Sequence, residues 1–400
     1  MKFVYVIVSI TGIGLLACSR ADTAPVKRAD VATNAAIGAT VIEPQFSRAE
    51  GFFGGLARVE VGKIDEKLTG YIDSKGKFQV NPKYRSARDF ADGLAAVDVS
   101  PKGEWAKWGY IDATGKTVIE PQFGAAEKFE DGYAVVMVGK WPAGLEGLID
   151  KRGQFVINPQ YASLYRLSKN RYFYRIDLNG KAGILDASGK IIAEPQFSSL
   201  NTLKEGLSPA EFGKEVGNGG EKCGYVDADG KVVIEPQFMR CEKFSAGLAR
   251  VGAIVEGVGG WGYIDHKGQF VIKPRFPAAD DFHDGLAAVA VGPSEESAKW
   301  GFIDKTGAVV ITPQFDEVRD FENGRAVVRV GGGSGVQQKS EMLNVINHTT
   351  PLNVGKWGVI DKQGHFIVNP RFDNLETPQN GLAPMRIGDH LTGKWGYIAL

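Results

Sequence analysis

Trp261-Gly262-Tyr263-Ile264-Asp265-His266-Lys267-Gly268 runs into Gln269-Phe270-Val271-Ile272-Lys273-Pro274-Arg275-Phe276, then Phe282-His283-Asp284-Gly285-Leu286-Ala287-Ala288-Val289. This stretch decides the fold because the chain repeats it. Its aspartate recurs at Asp73, Asp112, Asp150, Asp186, Asp227, Asp265, Asp304 and Asp361. Each time a glycine stands three residues later and a proline nine later; Pro44 marks a truncated first copy. Two past each proline is an aromatic, from Phe46 to Phe372. Eleven past it is a glycine, except for Asn170. Asn is the non-glycine residue that best tolerates left-handed backbone, so this position calls for φ > 0. Asp-x-x-Gly reads as a tight turn between two short runs of Tyr, Ile, Val and Phe, which makes a hairpin. A third run, such as Leu286-Ala287-Ala288-Val289, makes each unit of about 38 residues a three-stranded meander.

The blocks resemble the bacterial WG-repeat (KWG-repeat) family. Lys-Trp-Gly stands intact at Lys107-Trp108-Gly109, Lys299-Trp300-Gly301, Lys356-Trp357-Gly358 and Lys394-Trp395-Gly396. Thr69, Glu146, Ala182 and Cys223 depart from the tryptophan. The resemblance implies an all-β repeat protein of the bacterial envelope or cytosol, and carries over no catalytic residue. The array opens in mid-unit at Val41-Ile42-Glu43-Pro44 and stops in mid-unit at Trp395-Gly396-Tyr397-Ile398. Joined, the fragments complete a ninth copy. The expectation is a closed propeller-like ring without exposed sheet edges; an open β-solenoid is the alternative.

Composition narrows the function. Lys+Arg and Asp+Glu are both 47, so no basic surface for nucleic acid is expected. The longest apolar run, Phe3 to Ala17, is too short to span a bilayer and suits a signal peptide. It ends in Leu15-Leu16-Ala17-Cys18, which resembles a bacterial lipobox, and Ser19 fits sorting to the outer membrane. Residues 1–17 are therefore read as a signal peptide, 18–36 as lipidated Cys18 plus a tether, and 37–400 as the repeat domain.

The five histidines show no metal-ligand spacing, and Asp227-Ala228-Asp229-Gly230 lacks the glutamate that completes a calcium loop. No nucleophile elbow or phosphate loop occurs, so no cofactor, metal or catalytic residue is expected. Trp108, Trp261, Trp300, Trp357 and Trp395 share one phase of the repeat and read as plugs between neighbouring sheets. Trp105 and Trp141 lie outside that phase and read as surface contacts. The step from the φ > 0 position to the next Trp-Gly glycine runs 15, 16, 15, 13, 18, 15, 16, 34 and 15. All length variation thus falls in one connection per unit, which in a regular array shares one face. The longest insertion, about 331–355, brings Met342, Leu343, Ile346 and Asn347 as partner-contact candidates. Export allows a disulfide between Cys223 and Cys241, with Ile234 opposite Cys223 and Cys241 in the loop after Pro236.

The functional expectation is a non-enzymatic, lipid-anchored envelope protein that holds a protein or glycan through its variable loops. The alternative is a cell-wall or polysaccharide-active enzyme. Its site would lie in the degenerate fourth and fifth copies, near Asp177-Leu178-Asn179-Gly180 and Pro209.

Overall fold

Asp265 builds its turn as its position requires: Oδ1 accepts the Lys267 and Gln269 amides at 2.8 and 3.0 Å. Gly268 takes φ +78°. The same caps recur at Asp73, Asp112, Asp150, Asp186, Asp227, Asp304 and Asp361. The glycine eleven past each proline also has positive φ, and Asn170 shares it at 57°. In a computed structural model, residues 35–63, 65–213, 222–292, 297–332 and 355–400 are described. Among them the regular elements are all strands, arranged as nine four-stranded antiparallel sheets. The chain is a nine-bladed β-propeller.

Each blade has one strand more than the sequence pattern shows. In blade 6 the strands are Arg240–Ser245, Leu248–Val255, Val258–Ile264 and Phe270–Phe276. The extra strand is the first, within the segment read as a loop after the proline. In blades 2 and 3 it shrinks to Ser86–Ala87 and Ala125–Ala126. Two residues cannot display a period-two pattern, and in the six-residue copies a register shift, as between Cys241 and Phe244, interrupts the alternation.

The Trp-Gly and Pro-x-aromatic blocks explain each other. Trp261 pairs with Phe276 and Tyr263 with Ile272, so the fourth strand bulges around Pro274 while the third passes it with Gly262 alone. A Cβ on Gly262 would lie 2.6 Å from the Ile272 carbonyl and 2.7 Å from the Pro274 nitrogen. Proline donates no ladder bond and is confined to such bulges. The glycine opposite is what lets the bulge close over the sheet.

The core lies between blades. Tyr263, Ile272 and Phe276 of blade 6 cluster with Ala279, Phe282, Ala287 and Val289 of blade 7. Tyr263 Oη donates to the Asp280 carbonyl at 2.7 Å, and its ring meets Phe282 edge-on at 4.8 Å. Tyr71, Tyr110 and Tyr225 repeat the bond 17 residues onward. Burial raises the phenol pKa of all four well above its usual value, so they stay neutral donors.

Closure uses the same parts. The first strand, Thr40–Phe46, pairs with the last, Lys394–Ala399, as the fourth strand of blade 9. Tyr397 Oη then donates to the Glu50 carbonyl of blade 1 at 2.7 Å, and Tyr397 packs on Phe52 at 5.1 Å. Ile42 and Phe46 cluster with Ala49, Phe52 and Val59 across the joint. The ring closes with an interface of the repeated kind.

Candidate binding face

A meander alternates its connections between two ends, so every blade sorts its loops in one way. One end carries the first-to-second turn and the Asp-x-x-Gly turn, both of fixed length. The other carries the second-to-third connection, where all length variation falls. At that variable end stand Trp105, 61% exposed, and Trp141, 72% exposed. Ile176, Leu178, Ile254, Val258 and Leu391 are exposed there too. Loop positions on a fixed frame are where recognition residues gather.

The loops of blades 1 to 3 touch in series. Lys102 Nζ donates to the Asp65 carbonyl at 2.9 Å, and Lys140 Nζ lies 5.1 Å from the Trp105 ring centre. Lys140 is the sequence neighbour of Trp141, so the two tryptophans occupy adjacent loops and the second loop reaches the first through Lys140. The loop bearing Trp105 is braced from below. Asp98 Oδ1 accepts the Ser100 and Lys107 amides at 3.0 and 2.9 Å, and Arg85 reaches Ser100 Oγ and the Glu104 carbonyl. Met342, Leu343, Ile346 and Asn347 lie outside the described residues, as does Cys18.

The in-phase tryptophans do plug blade interfaces. Trp300 shares a core cluster with Val318, Trp357 with Leu375, Trp108 with Ala126, Trp261 with Ala279 and Trp395 with Ala49. In every pair the second residue belongs to the next blade. Trp300 and Trp357 are buried. The half-buried Trp108, Trp261 and Trp395 are each covered by an arginine of their own blade, 4.6 to 5.8 Å away.

Where the indole is missing, the facing residue is Leu164 for Glu146, Leu200 for Ala182 and Cys241 for Cys223, and it stays Ala87 for Thr69. Ala182 packs with Leu200, and the Glu146 carboxylate accepts the Leu164 amide at 2.5 Å. Cys223 is bonded to Cys241 with Cα atoms 6.0 Å apart. Two details of that pair differ from expectation. Cys223 faces Phe238, with Ile234 opposite Tyr225, because the proline bulge shifts the register. Cys241 lies in the first strand of blade 6, so the bond joins two blades. The sequence unit and the blade are offset by one strand.

Two regions of this surface were invisible in the sequence. A mostly apolar cavity of about 280 Å³ is lined by Met239, Ile254, Trp261 and Pro277. At the ring's seam, cavities of about 250 and 540 Å³ adjoin, sharing Ser47 and Lys67. The smaller is lined by Trp395, Arg386 and His390 of blade 9 and Arg48 and Glu50 of blade 1. Its walls are more than 300 residues apart in the chain, so no local motif announces them.

In the degenerate copies, Asp177 caps a turn by accepting the Asn179 amide, and Pro209 sits in a strand opposite Tyr225. Among the described residues the carboxyls that burial pushes upward are Glu146 and Asp320, which stand in blades 3 and 8. They do not converge. Asp229 is held by Arg171 at 2.8 Å, and among the described residues no cluster has metal-ligand geometry.

The family model for the WG containing repeat matches nine stretches: 37–63, 70–99, 108–140, 147–181, 183–214, 224–252, 261–292, 300–333 and 357–398. The chain belongs to the WG-repeat family. No curated protein matches it. Similar solved structures include the β-propeller domain of the Trilobed protease from Pyrococcus furiosus, with 10% identity and TM-score 0.40. That match covers 81% of this chain and 95% of that one. An uncharacterized protein from Listeria monocytogenes EGD-e has 11% identity and TM-score 0.41, covering 84% and 97%. For Pyrococcus horikoshii acylaminoacyl peptidase the values are 12% and 0.35, over 72% of this chain and 58% of that one. The WG-repeat chain thus spans 58% of that peptidase's length. The propeller assignment rests on this WG-repeat protein's own sheets.

Proposed function

We propose that this WG-repeat protein is a non-enzymatic binding scaffold, anchored through a lipid on Cys18 to the bacterial outer membrane. Its variable-loop face holds a protein or glycan of the cell envelope. One observation carries the reading: loop-length variation and the exposed pair Trp105 and Trp141 occur at one end of the blades, while the opposite end is uniform. Aromatic anchors dominate binding energy in such faces, each contributing about 2 kcal/mol or more when truncated.

The test is capture from detergent-solubilised envelope. The Trp105→Ala/Trp141→Ala variant is expected to retain at least about tenfold less partner than the parent, with its melting temperature unchanged. Equal capture removes these loops from the account. The anchor is tested separately. Cys18→Ser is expected to move the protein from the membrane pellet to the soluble fraction. Continued membrane association of that variant in high salt contradicts lipidation.

A further inference from the structure

The smaller cavity at the seam has unspent cationic capacity. The Arg386 guanidinium lies over Trp395, 5.8 Å from its ring centre, and its Nε is buried without a hydrogen-bond partner. Asp373, Asp389 and Glu376 act on Arg386 through space, but their hydrogen bonds and ion pairs go to other groups. Asp373 holds Lys356 and accepts the Gly388 amide, Glu376 pairs with Arg319 at 3.0 Å, and Asp389 caps Leu391 and Thr392. Glu50 takes Arg48 at 2.6 Å and Arg58 at 3.5 Å. An arginine presents five donors in a planar fork suited to a carboxylate. His390 and Lys67, which also pairs with Glu60 at 3.5 Å, line the same space and add donors.

We propose that this cavity is a binding site for a carboxylate-bearing sugar residue, with Arg386 receiving the carboxylate. The site rests on the glycan branch of the binding reading and names its chemistry. About 250 Å³ accommodates one pyranose ring, near the lower end of small-ligand sites. Trp395 supplies an apolar wall for the ring. Asn374 and the carboxylate lone pairs that Glu50 and Glu376 keep beyond their arginine partners supply acceptors for hydroxyls. Because Arg48 and Glu50 come from blade 1 while Arg386 and Trp395 come from blade 9, the site exists only in the closed ring.

The test is calorimetric titration of the purified full chain with galacturonate, polygalacturonate, galactose and inorganic phosphate. Both uronates are expected to bind, and galactose and phosphate at least about tenfold more weakly. Equal molar affinity of monomer and polymer residues assigns the site to single sugars, and tighter polymer binding assigns it to a chain; either supports the site. Arg386→Gln is expected to weaken galacturonate about tenfold or more, and Lys67→Gln, a surface change that spares the fold, about threefold. Absence of saturable uronate binding, phosphate binding as tight as galacturonate, or unchanged affinity in both variants overturns the proposal. The Trp105 and Trp141 capture experiment is independent. Failed capture with normal titration withdraws the loop-face reading alone, and the reverse withdraws this site alone.

Discussion

Removal of residues 37–46 is expected to abolish the cooperative unfolding of the ring. The deleted strand carries Ile42 and Phe46, 4% and 2% exposed, both inside the cluster that joins blades 9 and 1. Loss of a buried Ile side chain costs about 2–5 kcal/mol and of a buried Phe about 3–5 kcal/mol. The sum is comparable with the whole stability of an ordinary domain, about 5–15 kcal/mol. The deletion also leaves Lys394–Ala399 as an unpaired edge, which invites association with other chains. Urea titration followed by circular dichroism, with light scattering for aggregation, reads both effects. An unchanged midpoint and a monodisperse product contradict the closure.

The second large effect concerns the glycine of the Trp-Gly block. Gly262→Ala puts a methyl group 2.6 Å from the Ile272 carbonyl oxygen, and the obstacle is backbone that no rotamer can move. Overpacking a core costs about 1–3 kcal/mol, and a clash with the proline bulge belongs at or above the top of that range. Gly285→Ala is the matched control. It meets nothing within 4 Å but sits at φ +91°, so only backbone strain of about 1–2 kcal/mol applies. Gly262→Ala should therefore lower the urea midpoint more than Gly285→Ala. The reverse order sinks the account of why glycine follows tryptophan in this repeat.

Much of this architecture was legible because it repeats. Fixed spacing gave away the Asp-x-x-Gly hairpins, the φ > 0 position that Asn170 shares, and the two half-units that complete blade 9. The first strand escaped because two residues such as Ser86–Ala87 have no period, and because longer copies such as Arg240–Ser245 are broken by a register shift. The disulfide illustrates a subtler gap. Cys223 and Cys241 fall in one sequence unit, yet blades begin after the proline bulge, so the bond crosses an interface. The residue facing the indole position gave no pattern to read: it is Ala for Trp108, Trp261 and Trp395, but Val318 for Trp300, Leu375 for Trp357 and Ala87 for Thr69. The seam cavity left no signal, since only closure brings Arg48 to Arg386.

Hydrogen exchange on one heptapeptide tests the closed ring most directly. Thr-Val-Ile-Glu-Pro-Gln-Phe occurs twice, at Thr40–Phe46 and Thr117–Phe123, as the fourth strand of blades 9 and 2. Identical sequence gives the two segments closely matched intrinsic exchange rates, so any difference reports structure alone. In the closed ring Thr40–Phe46 pairs with Lys394–Ala399 just as Thr117–Phe123 pairs with Trp108–Asp112. The account predicts matching protection of the two copies in the native protein, at the level set by opening of the sheet. Free exchange at Thr40–Phe46 beside a protected Thr117–Phe123 would contradict it.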